Sequence, residues 1–360
     1  MYSSCIAATV VTLCLINSDA PTPAELAILE ARQSIVAGRV VVESKTLKDL
    51  GDGLKASSKS RYAIWFDQDR LRKDQQAWRP TSDGGWLQAL DERVARVGDR
   101  ILRYQREPYD RFRIVAKELT PSDGPNWESA STLLFDIRLL GLAPQDFSIL
   151  YSAVPDGFVA AARKSSSIIT ESQNENGRIV AVSFTAIEGQ RFELEIALDR
   201  GPNLVKGVVL NGSNRSSIEC TLAQFPAQGA MGKRWFPSTV LYTQEIDGRT
   251  IRINEVKVVE AVFDVPQPES LFTWEGLGAA PGTLVERSIE VGGRLELFNG
   301  TSLEPFRPNH PTPRPAVATW DTAARRVLLR MGIGLGVLAA AVWAVWLLQR
   351  LRGGPAAQEK

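Results

Sequence analysis

Histidine and cysteine are nearly absent from this chain. Its 360 residues include one histidine, His310, and three cysteines. His310 sits in a proline-rich stretch near the C-terminus, so a Ser-His-Asp or Cys-His relay in the main body is excluded in its usual form. Cys5 and Cys14 fall in an N-terminal apolar run. That leaves Cys220 alone in the body, where no intrachain disulfide can form and a hydrophobic core must supply stability. Cys220 reads as a small buried apolar side chain. One cysteine and one histidine give no Cys/His ligand set for zinc. No Walker loop and no GxGxxG ahead of a helix is present, and no cofactor is expected. Charge of one sign is lacking too: 42 Lys and Arg stand against 41 Asp and Glu, a formal net charge of +1. That balance gives no electrostatic case for a nucleic-acid partner. Carboxylates are plentiful, and Asp67, Asp69 and Asp199 are candidate acids for hydrolysis. Their positions at strand ends and turns fit local hydrogen bonding better.

Long uncharged runs are also scarce, and the one near the C-terminus is informative. Met331–Leu348 has 18 residues without a charge, about the minimum for a helix across a bilayer core. Arginines flank it on both sides. Residues 325–350 are therefore expected to be a transmembrane helix, with Trp343 and Trp346 at the interface. Gly332 and Gly336 form a GxxxG that permits close helix-helix approach. At the other end, residues 1–20 read as a signal peptide, with an apolar stretch from Cys5 to Ile16 and a small-x-small site at Ser18 and Ala20. The expected organisation is a signal at 1–20, a body at 21–300, a stalk at 301–324, the membrane helix, and a cytoplasmic tail at 351–360. Pro305–Pro315 carries five prolines and suits an extended stalk. The bulk of the chain is then expected outside a bacterial cytoplasmic membrane, single-pass, with its C-terminus in the cytoplasm.

The body opens with a helix. Thr22-Pro23-x-Glu25 supplies an N-cap, a proline at N1 and a capping-box glutamate, and Gly38 reads as the C-terminal stop. Strands follow: Arg39–Lys48, Lys59–Phe66, Arg70–Gln76, Trp86–Leu90, Arg93–Val97 and Arg100–Tyr104. Pro108–Asp123 reads as polar and irregular, with Phe112–Ala116 helical. Ser129–Gly141 and Gln145–Ala153 read as short cover segments. Alternation then becomes clear at Ser166–Gln173, Arg178–Ala186, Arg191–Asp199 and Leu204–Asn211, then at Ile218–Phe225, Trp235–Ile246 and Thr250–Phe263. Arg191–Asp199 places Phe192, Leu194, Ile196 and Leu198 on one face, the mark of a sheet with one wet and one dry side. Asp247-Gly248 is a strong hairpin turn. The pattern predicts a mainly β protein with few helices, an antiparallel meander or open barrel.

The opening helix, Tyr62–Asp74 (YAIWFDQDRLRKD), Phe135–Leu142 (FDIRLLGL), Gly232–Gly248 (GKRWFPSTVLYTQEIDG) and Ser270–Val285 (SLFTWEGLGAAPGTLV) together resemble the bacterial lipoprotein-carrier and lipoprotein-sorting proteins, the LolA/LolB-like half-barrels. The resemblance spans Ala24 to Val285. It implies a curved half-barrel sheet with an apolar concave face, capped by the N-terminal helix and central helical segments. This chain departs from those carriers in having a C-terminal apolar helix and no lipobox. The resemblance implies a binding protein rather than an enzyme, holding a lipid or lipoprotein acyl chain, with Trp65, Phe192, Leu194, Ile196, Leu198 and Trp235 lining the cavity. The alternative is an envelope sensor that binds a periplasmic protein partner.

Overall fold

A computed structural model describes residues 12–16, 22–106, 114–132, 134–142, 167–174, 177–186, 189–229, 232–287 and 294–306. The cover segment Gln145–Ala153, the stalk beyond 306 with His310, the helix 325–350 with Gly332 and Gly336, and the tail lie outside the described residues. A compact unit ends at Phe306. Among the described residues no helix is long and apolar enough to cross a membrane.

Strand β1 (Thr12–Ile16) lies within the stretch read as a signal. Helix α1 (Pro23–Gln33) follows and is capped as its sequence predicts. The Thr22 amide donates to Glu25 Oε2 at 2.8 Å, and the Glu25 amide donates to Thr22 Oγ1 at 3.4 Å. Gly38 does not stop this helix. The helix ends at Gln33 with Ser34 as cap, and Gly38 lies inside β2 (Ala37–Asp49). The reason is a close approach: a Cβ on Gly38 would lie 2.6 Å from the Val262 carbonyl oxygen and 3.0 Å from the Phe66 ring.

The chain then winds through β3 (Leu54–Asp67), β4 (Arg70–Pro80), β5 (Trp86–Val97), β6 (Arg100–Arg106) and β7 (Ile114–Leu119). Two short candidates, Trp86–Leu90 and Arg93–Val97, are one strand. Of the segment Phe112–Ala116, expected to be helical, the described part is strand instead, because Ile114–Leu119 pairs antiparallel with β6. A ladder partner outweighs a weak local preference. Helix α2 (Pro125–Thr132) and a 3₁₀ turn at Ile137–Leu139 come next. A second meander follows: β8 (Ser167–Asn174), β9 (Gly177–Thr185), β10 (Arg191–Ala197), β11 (Asn203–Asn211), β12 (Asn214–Pro226), β13 (Lys233–Ile246) and β14 (Arg249–Phe263). Three short strands close the unit: β15 (Leu284–Arg287), β16 (Leu295–Phe298) and β17 (Leu303–Pro305).

The seventeen strands among the described residues belong to one large curved open sheet. The first meander, β2 to β7, and the second, β8 to β14, are fused where β14 pairs antiparallel with β2. This leaves β7 and β8 on opposite flanks of the sheet. β1 adds to the outer edge of β8, and β15 joins β7 in parallel. The connection from β7 back to β8 must therefore traverse the sheet, and its residues Leu134, Phe135, Ile137, Leu139, Leu140 and Leu142 are buried there.

The sheet is dry on both faces, in different places. On the inner face one core runs from Leu194 and Ile196 across Val240, Val256 and Val40 to Ile64 and Val94. On the outer face of β5 to β7, Ala95, Leu102 and Ala116 pack under Trp274, Leu277, Val285 and Phe298 of the closing segment. Arg72 and Arg93 fasten that segment. Arg72 Nη1 donates to the carbonyls of Leu271 (2.9 Å) and Gly276 (2.7 Å), and Arg93 Nη1 donates to that of Leu277 (2.8 Å).

Gly38→Ala places a methyl against backbone that cannot withdraw without opening the β14–β2 seam. The expected cost is about 1–3 kcal/mol, read as a lower urea midpoint. A variant as stable as the parent would show that this approach is not tight.

Candidate functional site

Among the described residues, the inner face carries the larger of two apolar cores. Phe192, Leu194 and Ile196 of β10 lie opposite Phe184, Val182 and Val180 of β9. Leu194 and Ile196 are buried, and Phe192 and Leu198 are partly buried against the same core. Phe192 stacks on Phe184 with centroids 4.9 Å apart and planes 6° from parallel. Toward the seam, Phe236 and Phe263 are 4.9 Å apart, and Phe225 meets both edge-on at 6.4 Å. Alternation along the strands supplies this face from β9 to β3, re-phased by bulges in the β10–β11, β12–β13, β13–β14, β14–β2 and β2–β3 pairs.

Trp65 and Trp235 do not join it. Each is one residue out of phase with a core phenylalanine, Phe66 or Phe236, so each points to the opposite face. Trp65 lies between the guanidinium groups of Arg39 (5.7 Å) and Arg72 (4.7 Å), and Trp235 lies under Arg200 at 5.4 Å. The four β10-stripe residues are thus gathered on one surface, and the two tryptophans expected beside them are placed elsewhere.

The inner face is covered by α1, through Ala24 and Ile28, and by Leu134–Leu142. Arg32 ties the two together. It is 3% exposed, sits 4.6 Å over the Phe236 ring, and donates through Nη1 to the Arg138 carbonyl and through Nη2 to the Leu140 carbonyl, both at 3.2 Å. Its Nε has no hydrogen-bond partner among the described residues. Burial lowers its pKa to about 10. A guanidinium in an apolar setting is costly unless its protons are used, and here backbone carbonyls of the cover take them. The sequence reading missed Arg32. The available signal was its position four residues after Ile28, on the apolar side of the helix. Beside it, Cys220 Sγ lies 3.6 Å from the Gly141 carbonyl, and burial pushes its thiol up to about 12, which makes it inert.

The same face turns polar on β4 to β6. Lys73 and Glu92 are each 1% exposed. Lys73 Nζ donates to Gln75 Oε1 at 2.9 Å, and Arg103 Nε donates to Glu92 Oε1 at 2.7 Å. Burial lowers the Lys73 pKa to about 8, with Glu92 opposing that shift and Arg103 adding to it. The inner surface is therefore amphipathic: apolar over most of its width and charged at one flank.

Two of the candidate acids, Asp67 and Asp199, have structural duties. Asp67 accepts from Arg70 at 3.1 Å and from the Gln267 amide at 2.9 Å. Asp199 accepts from the Arg178 amide at 2.9 Å. Among the described residues no group of three or more His, Cys, Asp or Glu side chains is placed to hold a metal ion.

No protein-family model and no curated protein matches this chain. Among solved structures it is similar to a DUF1329 family protein from Desulfovibrio piger. That pair shares 10% identity and a TM-score of 0.38, covering 72% of this chain and 100% of the other. It is also similar to a LolA superfamily protein from Nitrosomonas europaea, at 11% identity and a TM-score of 0.31, covering 70% and 99% of the two chains.

Arg32→Met removes two hydrogen bonds from the cover. Amides of Leu139, Leu140 and Leu142 are expected to exchange hydrogen at least about tenfold faster, since each charged hydrogen bond is worth about 1.5–3 kcal/mol. Unchanged exchange would mean that the cover is held by packing alone. Lys73 yields a pH signature. Below pH 8 the folded and unfolded chains both carry the proton, and the burial cost is felt in full. Between about 8 and the ordinary 10.5 the folded chain releases it first, so stability rises with pH. Lys73→Met should be more stable relative to the parent at pH 7 than at pH 10.5, by on the order of 3 kcal/mol. Urea titrations at both values check it, and a pH-independent difference would refute it.

Proposed function

We propose that this protein is a membrane-anchored, extracytoplasmic binding protein that holds a lipid, or the acyl chain of a lipoprotein, against the inner face of a half-barrel. One observation carries the reading. The dry face is closed by short, separable pieces, α1 and Leu134–Leu142, rather than by a second sheet. In a sandwich the opposing sheet is a permanent partner. A helix and a loop joined through one arginine can yield their place to a ligand of similar apolarity, at about 0.8 kcal/mol per CH₂ transferred. The charged flank at Lys73, Glu92 and Arg103 suits a ligand with a polar end. The sequence of residues 1–20 and 325–350 supports export and anchoring, and the family resemblance supports the ligand class.

The full-length chain, extracted from membranes in a neutral detergent, is expected to release a bound lipid on native mass spectrometry. Phe192→Ser with Leu198→Ser should lower the thermal midpoint, because both side chains pack on the core, and should lower lipid occupancy at least about threefold at a temperature where circular dichroism shows the variant folded. A protein that arrives lipid-free and takes up no fluorescent fatty acid would overturn the proposal. Fusion to a phosphatase active only outside the cytoplasm should report activity; an inactive fusion would overturn the placement.

A further inference from the structure

A second surface, on the opposite side of the sheet, carries an unusual arrangement of charge. Lys45 of β2 lies directly across from Lys59 of β3 and also across from Glu255 of β14. One pleat away, Lys257 lies across from Glu43, whose carboxylate is 3.6 Å from Arg61. These groups ring a concavity of about 400 Å³ that Trp78 also lines. The site holds four cations and two carboxylates, a local excess of two positive charges. Like charges set directly opposite on neighbouring strands destabilise a sheet. Neither Lys45 nor Lys257 is engaged in an ion pair among the described residues. Lys59 is held in place, its ammonium 5.5 Å from the Trp78 ring and 4.6 Å from that of Trp86.

The larger outer cavity, about 540 Å³ under Trp274, is different. Its Arg70 is paired with Asp67, and its Arg287 with Glu118 and Glu296. The Lys45–Lys257 concavity combines surplus positive charge with an aromatic wall, whereas the cavity under Trp274 balances Arg70, Arg100 and Arg287 against Glu118, Glu269 and Glu275.

We propose that this concavity is an anion site for a phosphate monoester carried on a sugar ring. A phosphate monoester bears close to two negative charges at neutral pH, which matches the surplus. The volume lies within the range of ligand pockets and exceeds what a bare phosphate fills, leaving room for one ring. The Trp78 face supplies an amphipathic wall for such a ring. Lys45, Lys59 and Lys257 act as point-charge donors to the phosphate oxygens. The site is independent of the inner face, so its failure or success leaves the lipid-binding reading where it stands.

The test is calorimetric titration of the full-length chain in neutral detergent with glucose 1-phosphate, inorganic phosphate and glucose. Glucose 1-phosphate is expected to bind saturably and more tightly than inorganic phosphate, glucose not at all, and the affinity should fall as sodium chloride rises from 50 to 500 mM. Detergent micelles doped with a sugar-phosphate-headed lipid form a second arm: tighter binding there identifies a lipid head as the source, and tighter binding of the free sugar phosphate identifies a soluble one. Lys45→Glu with Lys257→Glu should weaken binding at least about tenfold. Lys55→Glu, on the same hairpin but outside the concavity, should leave it unchanged. Trp78→Leu should abolish the preference for the sugar phosphate over inorganic phosphate. Thermal unfolding near the parent midpoint shows that each variant is folded. Absence of saturable phosphate binding, or a Lys45/Lys257 double variant within twofold of the parent, would overturn the proposal. Equal affinity for inorganic and sugar phosphate would overturn its ring component.

Discussion

Everything in this body follows from the need to keep one very wide sheet dry on its apolar surfaces. A seventeen-stranded open sheet without a second sheet against it must find other cover, because exposed apolar patches of that extent promote association. The solution comes from topology. With β14 paired to β2, β7 and β8 fall on opposite flanks, and the described part of the link between the meanders, Leu134–Leu142, lies on the inner face. Phe135, Ile137 and Leu140 on that link complete the core. The cover is a direct result of where the strands had to end.

Buried arginines are the fasteners on both faces, and they work in the same manner. Arg32 inside and Arg72 outside each donate to two backbone carbonyls of an irregular segment. Irregular backbone brings carbonyls that the sheet ladder does not satisfy, and a guanidinium is the side chain best shaped to gather several of them. The difference is in compensation. Arg72 also makes a bidentate pair with Asp74, both bonds at 2.7 Å, so the outer closing segment is fixed. Arg32 makes no ion pair among the described residues, and the inner cover rests on neutral acceptors alone. The face proposed to bind ligand is the one with the weaker fastener.

The strands and the capping box were legible because their signals are local. A period of two, turn residues such as Asp247-Gly248, and the Thr22–Glu25 exchange need no partner to be read. The β10 stripe was legible for the same reason. Trp65 and Trp235 were misplaced because bulk and aromaticity were allowed to outweigh phase, although the neighbouring Phe66 and Phe236 already occupied the inward positions. β7 was missed because it is a strand only by virtue of β6. Gly38 was assigned to the wrong element because its requirement comes from Val262, more than two hundred residues away. Arg32, Lys73 and the Lys45–Lys257 concavity escaped for a related reason. The concavity is defined by what lies across strand pairs, Arg32 finds its acceptors on carbonyls more than a hundred residues away, and Lys73 is buried by the strands on either side of it.

The β14–β2 seam joins the two halves through residues separated by about two hundred positions, as in Val256 opposite Ser44. Closing so large a loop is entropically slow. A chain emerging from its N-terminus would complete β2 to β4 long before β14 exists. The inner side of that first meander, with Val40, Val42 and Ile64, would wait bare in the meantime. Maturation should therefore be governed by a late docking step, with an early half that depends on holdase protection until its counterpart arrives.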